Sequence, residues 1–347
     1  MKHSKTLLHT ALLALLAAGT LHTQAQTPAA HPPDAPLPVP TATEEYKKHV
    51  ALATAAATIH GTAELIPQVC DLPKPANPND APTPARNPLN VNPIEAAKAF
   101  DNLYYVGLGG VSAWAIKTSA GIILIDALNS SSDIDETLIP GMKKLGLDPS
   151  QIKYVIISHA HGDHYGGAQA LVDKFHPRII SSDVDWAIME GPPRFTANFS
   201  PAPKRDMTIV DGEKLTLGDT TITMYITPGH TPGTISSIFP VKDKGKQHYA
   251  AIWGGTSFNF QMTMENFKYF NSYAESATRL AEAARKVGAD VMLSNHPRND
   301  DTVIKFAAMK TQKPGDSNPW IVGTQAVQNF LTVASECGKA RAASFKF

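Results

Sequence analysis

The sequence centres on one short stretch rich in histidine, Ser158-His159-Ala160-His161-Gly162-Asp163-His164. It directly follows the apolar run 154–157, which is typical of a buried strand, and Gly166-Gly167 then predicts the start of a helix. Imidazole and carboxylate groups are usual zinc ligands, and a strand–loop–helix turn can direct them towards one point. We therefore expect a metal-binding loop here, with a solvated loop that happens to be rich in histidine as the alternative.

Two further histidines lie in loops that follow predicted strands. His230 lies in a turn rich in Pro and Gly, residues 227–233, and His296 follows the predicted strand 291–293. With the first stretch they complete a set of six candidate ligands: His159, His161, Asp163, His164, His230 and His296. The other eight of the 13 histidines lie in none of these loops.

Six ligands are too many for one tetrahedral zinc and suit two Zn²⁺ ions with three protein ligands each. Three ligands leave a coordination position open for water, which is typical of a catalytic zinc site. A water shared between two zinc ions loses a proton near neutral pH and becomes a nucleophile. The set thus predicts a hydrolase, and Asp163 is its candidate catalytic residue because a zinc-bound carboxylate keeps an acceptor oxygen that can steer the nucleophile.

Hydrophobic patterning predicts an α+β fold in which each half of the chain has strands first and helices after. The predicted strands are 104–107, 112–116, 122–125, 154–157, 179–180, 214–217, 221–226, 234–239, 249–253 and 291–293. The predicted helices are 43–65, 134–145, 168–175, 274–287, 302–310 and 322–342, with a possible break at Pro140-Gly141. Two mixed sheets packed face to face, with helices on the outer faces, would bury both sets of strands.

The N-terminal part divides into two predicted segments before the catalytic domain at 99–347. Residues 1–25 have the lysines, apolar run and small residues of a secretory signal, so we expect a periplasmic or secreted protein. Residues 26–98 are a Pro/Ala-rich extension with one helix, extended or disordered up to about residue 40. No later stretch is long and apolar enough to predict a membrane span.

Composition narrows the choice of partners. The formal net charge is zero and no basic stripe is present, which argues against nucleic acid and leaves a small-molecule substrate. Only Cys70 and Cys337 are present, and an oxidising compartment would permit a disulfide between them. Two free buried thiols are the alternative. The oligomeric state is not predicted by the sequence.

These motifs resemble those of the metallo-β-lactamase superfamily. The pattern His159-x-His161-x-Asp163-His164, the Pro-Gly-His230 turn and the late His296 occur in the superfamily's order, over residues 99–310. The resemblance implies a four-layer αββα sandwich of two mixed sheets, with a dinuclear zinc site at one edge of the paired sheets.

The loop 254–258 indicates the branch. Glyoxalase-like relatives have a bridging aspartate in this loop, and B1 β-lactamases have a cysteine, whereas Thr256 occupies the comparable position here. The sequence is therefore similar to subclass B3, although Gly162 stands where B3 relatives often have a larger residue. This similarity assigns three ligands to each zinc: His159, His161 and His230 to the first, and Asp163, His164 and His296 to the second.

Subclass B3 also implies an activity. A hydroxide that bridges the metals would open a β-lactam ring, and Thr256 or Ser257 would bind the substrate carboxylate unless both have only a structural role. Two alternatives stay open. One is a hydrolase of the same fold that acts on a lactone or acyl ester, and the other is a zinc-binding protein without catalytic activity.

Overall fold

A computed structural model describes residue 1 and residues 32–58, 60–72, 93–192 and 199–347. By their internal contacts Met1–Pro32 and Pro33–Phe347 are separate units, and the second contains all the helices and strands given below. The predicted secretory signal, apart from Met1, lies outside the described residues. Within the part of the chain that the structure describes, we find no helix of the length and apolarity needed to span a bilayer.

The first sheet has seven strands in sequence order. They are β1 (Ala97–Lys98), β2 (Leu103–Tyr105), β3 (Trp114–Thr118), β4 (Gly121–Ile125), β5 (Ile152–Ile156), β6 (Arg178–Ser182) and β7 (Met207–Ile209). Strands β1 to β4 form an antiparallel meander, and β4 to β7 are parallel. Because β4 and β5 are parallel neighbours, Asp126, directly after β4, and Ser158, two residues after β5, meet at one edge of the sheet.

The second sheet has five strands in the order β12-β11-β10-β9-β8. They are β8 (Lys214–Leu217), β9 (Thr220–Ile226), β10 (Ile235–Asp243), β11 (Lys246–Trp253) and β12 (Val291–Ser294). Only β11 and β12 are parallel, so the loops that follow them emerge at the same end. The loop from β9 to β10 lies at this end too, because β10 is antiparallel to both β9 and β11.

Helices cover the outer faces of both sheets. They are α1 (Glu44–Ala56), α2 (His60–Ala63), α3 (Ser131–Asp133), α4 (Ile139–Lys144), α5 (Gly162–Tyr165), α6 (Ala168–Phe175), α7 (Asp183–Glu190), α8 (Lys268–Val287), α9 (Thr302–Lys310) and α10 (Thr324–Ala343). Wider helical turns form at Ile66–Cys70 and Ile134–Leu138, and a tighter one at Pro149–Gln151.

The buried side chains form three apolar layers. The layer between the two sheets includes Trp114 and Phe239. The outer face of the first sheet packs on helices through residues such as Leu124 and Trp186. The outer face of the second sheet packs on α8 and α10 around Trp253. This arrangement confirms the predicted αββα sandwich.

Several predicted boundaries were wrong, and each has a local cause. Strands β1 and β7 were missed because two or three residues are too few to show a period. Helix α7 is as long as α6 but has a weaker apolar stripe, with Asp183, Asp185 and Glu190 among its eight residues. The helix predicted over 43–65 is two helices, since α1 ends at Ala56. The segment 134–145 is a wide turn followed by α4, with Pro140 near the helix start, where its missing N–H costs little. The backbone stays helical from Leu138 through Pro140 and Gly141, so the predicted break at Pro140-Gly141 was wrong.

The extension packs against the C-terminal helix. Thr43 caps α1 by accepting from the Tyr46 N–H, and its hydroxyl donates to the carbonyl of Ala343. Further along, Cys70 and Cys337 form a disulfide with their Cα atoms 4.4 Å apart. Of the two alternatives for these cysteines, the structure therefore has the disulfide.

Candidate metal centre

The structure brings all six predicted ligands to the shared edge of the two sheets. They reach it on three loops, after β5, between β9 and β10, and after β12. In one group, His159, His161 and His230, the ligand atoms all lie within 4.8 Å of one another. A second group with the same spacing combines His159 with Asp163 and His164. Two metal-sized clusters therefore share one end of the fold.

His296 borders the second group. Its Nε2 lies 4.0 Å from Asp163 Oδ2, and its ring centre is 5.1 Å from that of His164. The first group has the three residues that the resemblance to subclass B3 assigns to the first zinc. For the second zinc, the position of His296 beside Asp163 and His164 is compatible with the assignment, which stays a prediction.

Four of the histidines have Nδ1 hydrogen-bonded away from the centre. Three donate to backbone carbonyls: His159 to Gly254 at 2.7 Å, His296 to Gly110 at 2.8 Å, and His230 to Ser257. His164 instead donates to a carboxylate, with 2.8 Å between Nδ1 and Asp126 Oδ2. When the ring is neutral, such partners keep its proton on Nδ1 and leave a lone pair on Nε2, the form that binds a metal.

Two features of the Nε2 atoms show that these residues fit a divalent cation. The Nε2 atoms of His159 and His230 are 3.0 Å apart, and two lone pairs facing each other at this distance repel unless a cation or proton lies between them. The buried Nε2 of His164 has no hydrogen-bond partner among the described residues and lies 3.4 Å from Asp163 Oδ2. Imidazole and carboxylate donors suit zinc.

Burial and mutual repulsion set the charge states. Burial, together with the neighbouring imidazoles, holds the pKa of His159 and of His230 well below the usual range, so both are neutral near pH 7. Burial also lowers the pKa of His164, but Asp163 and Asp126 outweigh it and raise that pKa to about 10. A metal must therefore displace a proton from His164, which makes metal binding release protons.

Asp126 is a site residue that the sequence analysis missed. It follows β4 with a positive φ of 65° and is 1 % exposed. Its Oδ1 accepts from the Ser158 N–H at 2.7 Å, and its Oδ2 accepts from the Ser158 hydroxyl and from His164 Nδ1, both at 2.8 Å. Asp126 therefore orients both the start of the metal loop and one of its ligands. The sequence feature that could have identified Asp126 is an acidic residue directly after a strongly apolar strand, the pattern that also marks the metal loop after β5.

Asp185, near the start of α7, was missed as well. Its Oδ2 accepts from the Ala160 N–H at 2.9 Å and from the Thr231 hydroxyl at 2.7 Å. Its Oδ1 accepts from the Gly233 N–H at 2.9 Å. Burial raises the pKa of Asp185 to about 6, although these three donors oppose the shift. One buried carboxylate thus connects the loop of His159 and His161 to the loop of His230.

Comparison with known proteins agrees with this geometry. Residues 106–243 match the family model described as the metallo-beta-lactamase superfamily, and they include five of the six candidate ligands. Residues 106–243 therefore form a domain of the metallo-beta-lactamase superfamily. The crystal structure of BJP-1, a subclass B3 metallo-beta-lactamase of Bradyrhizobium japonicum, superposes with a TM-score of 0.61 at 27 % identity. The alignment covers 72 % of this chain and 94 % of that one, so the resemblance to subclass B3 is confirmed.

Curated relatives match shorter parts of this chain and include other hydrolases. A hydroxyacylglutathione hydrolase of Acidiphilium cryptum is 24 % identical over 127 residues, which are 37 % of this chain and 44 % of that protein. This chain thus spans less than half the length of that relative. An N-acyl homoserine lactonase of a Bacillus species is 23 % identical over 208 residues, 54 % of this chain and 78 % of the relative.

The two predicted substrate-binding residues, Thr256 and Ser257, have different surroundings. Thr256 is 1 % exposed, its hydroxyl accepts from Asn299 Nδ2 at 3.1 Å, and its carbonyl accepts from the Tyr273 hydroxyl at 2.8 Å. Ser257 is partly exposed, and its carbonyl holds His230. These contacts favour a structural role for Thr256. A contact between Ser257 and substrate stays a prediction.

Two glycines let side chains approach the metal loops closely. A Cβ on Gly255 would lie 2.5 Å from the His230 ring, so this position requires glycine. A Cβ on Gly162 would overlap the ring of Phe199. Gly162, which the sequence analysis marked as a departure from B3 relatives, therefore leaves room for a phenyl ring directly against the loop that carries His161 and Asp163.

Replacing Asp185 by Asn is expected to lower the free energy of unfolding by about 1–3 kcal/mol, because the amide NH₂ would face a buried donor and leave it unsatisfied. Urea unfolding of the metal-free protein measures this effect without any contribution from metal. Asp183→Asn is the matched control on the same helix. Its side chain is 74 % exposed and pairs with Arg205 at the surface, so a change within about 0.5 kcal/mol is expected. Equal effects of the two variants would contradict the role assigned to Asp185.

Proposed function

We propose that this protein is a zinc-dependent hydrolase that opens β-lactam rings with two Zn²⁺ ions, as a subclass B3-like metallo-β-lactamase. Two observations together carry the proposal. Six candidate ligands converge at one edge of the sheets, and the neighbouring loop 254–258 contains neither an acid nor a cysteine. This combination is the one that the resemblance associates with subclass B3. The 94 % coverage of BJP-1 supports the same choice.

The residues of the site have distinct tasks in this proposal. His159, His161 and His230 would hold one ion, and Asp163, His164 and His296 the other. Bound there, the ions would polarise a carbonyl oxygen and lower the pKa of a water nucleophile.

Asp163 is the acid of the site with access to solvent, since its side chain is 22 % exposed and Asp126 is 1 % exposed. Its Oδ2 is the oxygen that faces His164 and His296. Oδ1 therefore remains as an acceptor that can orient the attacking water.

Lactone hydrolysis is the second candidate, because the Bacillus N-acyl homoserine lactonase matches over 54 % of this chain. In both reactions water attacks a carbonyl in a ring, which becomes a carboxylate as the ring nitrogen or oxygen leaves. The metal site alone therefore suits either reaction. The absence of an acid in loop 254–258 argues against the glyoxalase-like branch and favours the β-lactam.

The test is hydrolysis of a penicillin, a cephalosporin, a carbapenem and an N-acyl homoserine lactone by the zinc-reconstituted protein. We expect two zinc ions per chain and turnover of at least one β-lactam faster than the lactone. Faster lactone turnover would favour the second candidate. Two bound zinc ions without turnover above the metal-free control would favour a non-catalytic zinc protein.

Two histidine variants make the assay specific for the site. His230→Ala should lose zinc and turnover together, because it removes one of three ligands of the first ion. His176→Asn is the control, since His176 is exposed, lies outside the metal loops and has a positive φ of 55°, which asparagine tolerates. Full zinc content in His230→Ala would contradict the ligand assignment.

We also propose that the protein is exported and acts in the periplasm or outside the cell. The N-terminal sequence supports this, and a structural disulfide between Cys70 and Cys337 is typical of an oxidising compartment. Sequencing the N-terminus of the protein from its native host should give a start at Gln26. A retained Met1 would contradict the proposal.

A further inference from the structure

One surface loop begins at the metal centre and continues into contact with the N-terminal extension. We call residues 257–265 the rim loop. It starts at Ser257, whose carbonyl accepts from Nδ1 of the ligand His230. A residue adds at most about 3.6 Å to the reach of a chain, so the exposed Asn259 lies within about 7 Å of Ser257. The first half of the rim loop therefore borders the space beside His230.

The other half of the rim loop pairs with residues 33–37, which we call the N-terminal strand. Leu37 N–H donates to the Met262 carbonyl at 2.8 Å, and Met264 N–H donates to the Ala35 carbonyl at 2.9 Å. Pro36 and Thr263 form an antiparallel bridge between these two bonds. A third bond runs from the Glu265 N–H to the Pro33 carbonyl at 2.9 Å. The extension thus adds an edge strand to the rim loop.

The sequence of the N-terminal strand suits this role. Prolines at 33, 36 and 38 restrict the residues before them to extended conformations, so the segment loses little entropy on pairing. Proline has no N–H, so the N-terminal strand can form backbone hydrogen bonds along one edge only. No further strand can pair with its other edge. The predicted leader up to residue 40 therefore pairs within its own chain, through a turn at 33–34 and an extended segment at 35–37.

The extension also reaches the start of the rim loop, through Arg341. The Arg341 guanidinium lies 5.5 Å from the ring centre of Phe258, the residue after Ser257. Its Nη1 donates to the Asp71 carbonyl at 3.0 Å. Asp71 follows Cys70, whose disulfide partner Cys337 lies one helical turn before Arg341 on α10. The extension thus acts on both ends of the rim loop. Residues 33–37 pair with its second half, and Arg341, which is hydrogen-bonded to Asp71, contacts Phe258 at its start.

We propose that the N-terminal strand determines substrate specificity by holding the rim loop in place to contact the acyl group of a bound substrate. The proposal rests on the proposed ring-opening activity. A loop that is already ordered does not lose conformational entropy when the substrate binds, so its contacts contribute fully to affinity. A substrate without an acyl group does not reach the rim loop and gains nothing from this order.

The test compares three mature chains that begin at Gln26, at Pro32 and at Thr41. The chain from Pro32 is the control because it keeps the N-terminal strand, and the chain from Thr41 lacks the strand but keeps α1 and the disulfide. The substrates are a penicillin with a large acyl group and 6-aminopenicillanic acid, which has the same ring without it. If the parent opens lactones instead, homoserine lactones with long and short acyl chains replace them.

We expect the chain from Thr41 to show a KM about tenfold higher for the acylated substrate, with kcat and the values for the bare ring unchanged. Leu37→Pro removes the N–H that donates to Met262, so it should raise the KM for the acylated substrate by a smaller factor. Leu37→Ala keeps this N–H and should leave the KM unchanged. Equal changes for both substrates, or no change, would overturn the proposal.

Hydrogen exchange distinguishes this proposal from the activity on which it rests. The amides of Met264 and Glu265 should exchange faster in the chain from Thr41, whatever the substrate. Unchanged exchange would show that the N-terminal strand does not hold the rim loop and would overturn the proposal even if β-lactams are hydrolysed. Faster exchange in a protein that opens neither ring would refute the proposed function, and the specificity role with it.

Discussion

Replacing Asp126 by Asn is expected to lower metal affinity and ring-opening activity by roughly 10–100-fold. The carboxylate accepts three hydrogen bonds, two from Ser158 and one from His164 Nδ1. An asparagine of the same shape has one acceptor oxygen, so its NH₂ group must face either the Ser158 N–H or His164.

The second orientation has the larger consequence for the metal. Against an NH₂ group, a His164 ring that has lost one proton would keep the other on Nε2, the nitrogen that faces the candidate metal site. The buried Nε2 that now has no hydrogen-bond partner would then be unable to bind a cation. The loss should appear first in the zinc ion assigned to Asp163, His164 and His296.

Zinc titration with a chelating indicator and steady-state hydrolysis measure this prediction. The matched control is Asp290→Asn, because Asp290 holds His248 through a similar bond of 2.6 Å from Nδ1, on the second sheet and outside the metal loops. Asp290→Asn should keep both zinc ions. Full zinc occupancy and activity in Asp126→Asn would show that the carboxylate does not control the His164 tautomer.

Replacing both cysteines by alanine is expected to lower the free energy of unfolding by about 2–5 kcal/mol. The bond joins residues 267 positions apart, so it removes many conformations from the unfolded chain. Both side chains are fully buried, and alanine avoids placing a new hydroxyl there. The melting temperature should fall by roughly 5–10 °C.

Reduction of the parent protein provides the control for the cysteine replacement. Dithiothreitol under partly unfolding conditions should lower the parent's melting temperature to near that of the Cys70→Ala/Cys337→Ala variant and leave the variant unchanged. A variant as stable as the oxidised parent would mean that packing of α1 on α10 holds the extension without the bond. The zinc content should be the same in both proteins, since neither cysteine lies near the candidate ligands.

The sequence predicted which side chains converge at the candidate site better than it predicted the framework that holds them. All six candidate ligands were found because each follows a strongly apolar strand, and the ends of buried strands meet where sheets pair. Helix α6 and helix α9 were predicted with correct bounds. Helix α7 was missed, and Asp185, which lies on it, was therefore missed as well.

The sequence by itself determined the fold class and which side chains would meet at the metal centre, because local patterns set both strand position and ligand type. Only the tertiary structure decided which groups hold those side chains in place. Asp126 connects β4 to a loop 38 residues later, Asp185 connects two loops, and the N-terminal strand pairs with a loop more than 220 residues away. Such contacts join residues distant in the chain, and no local period or motif in a single sequence records them.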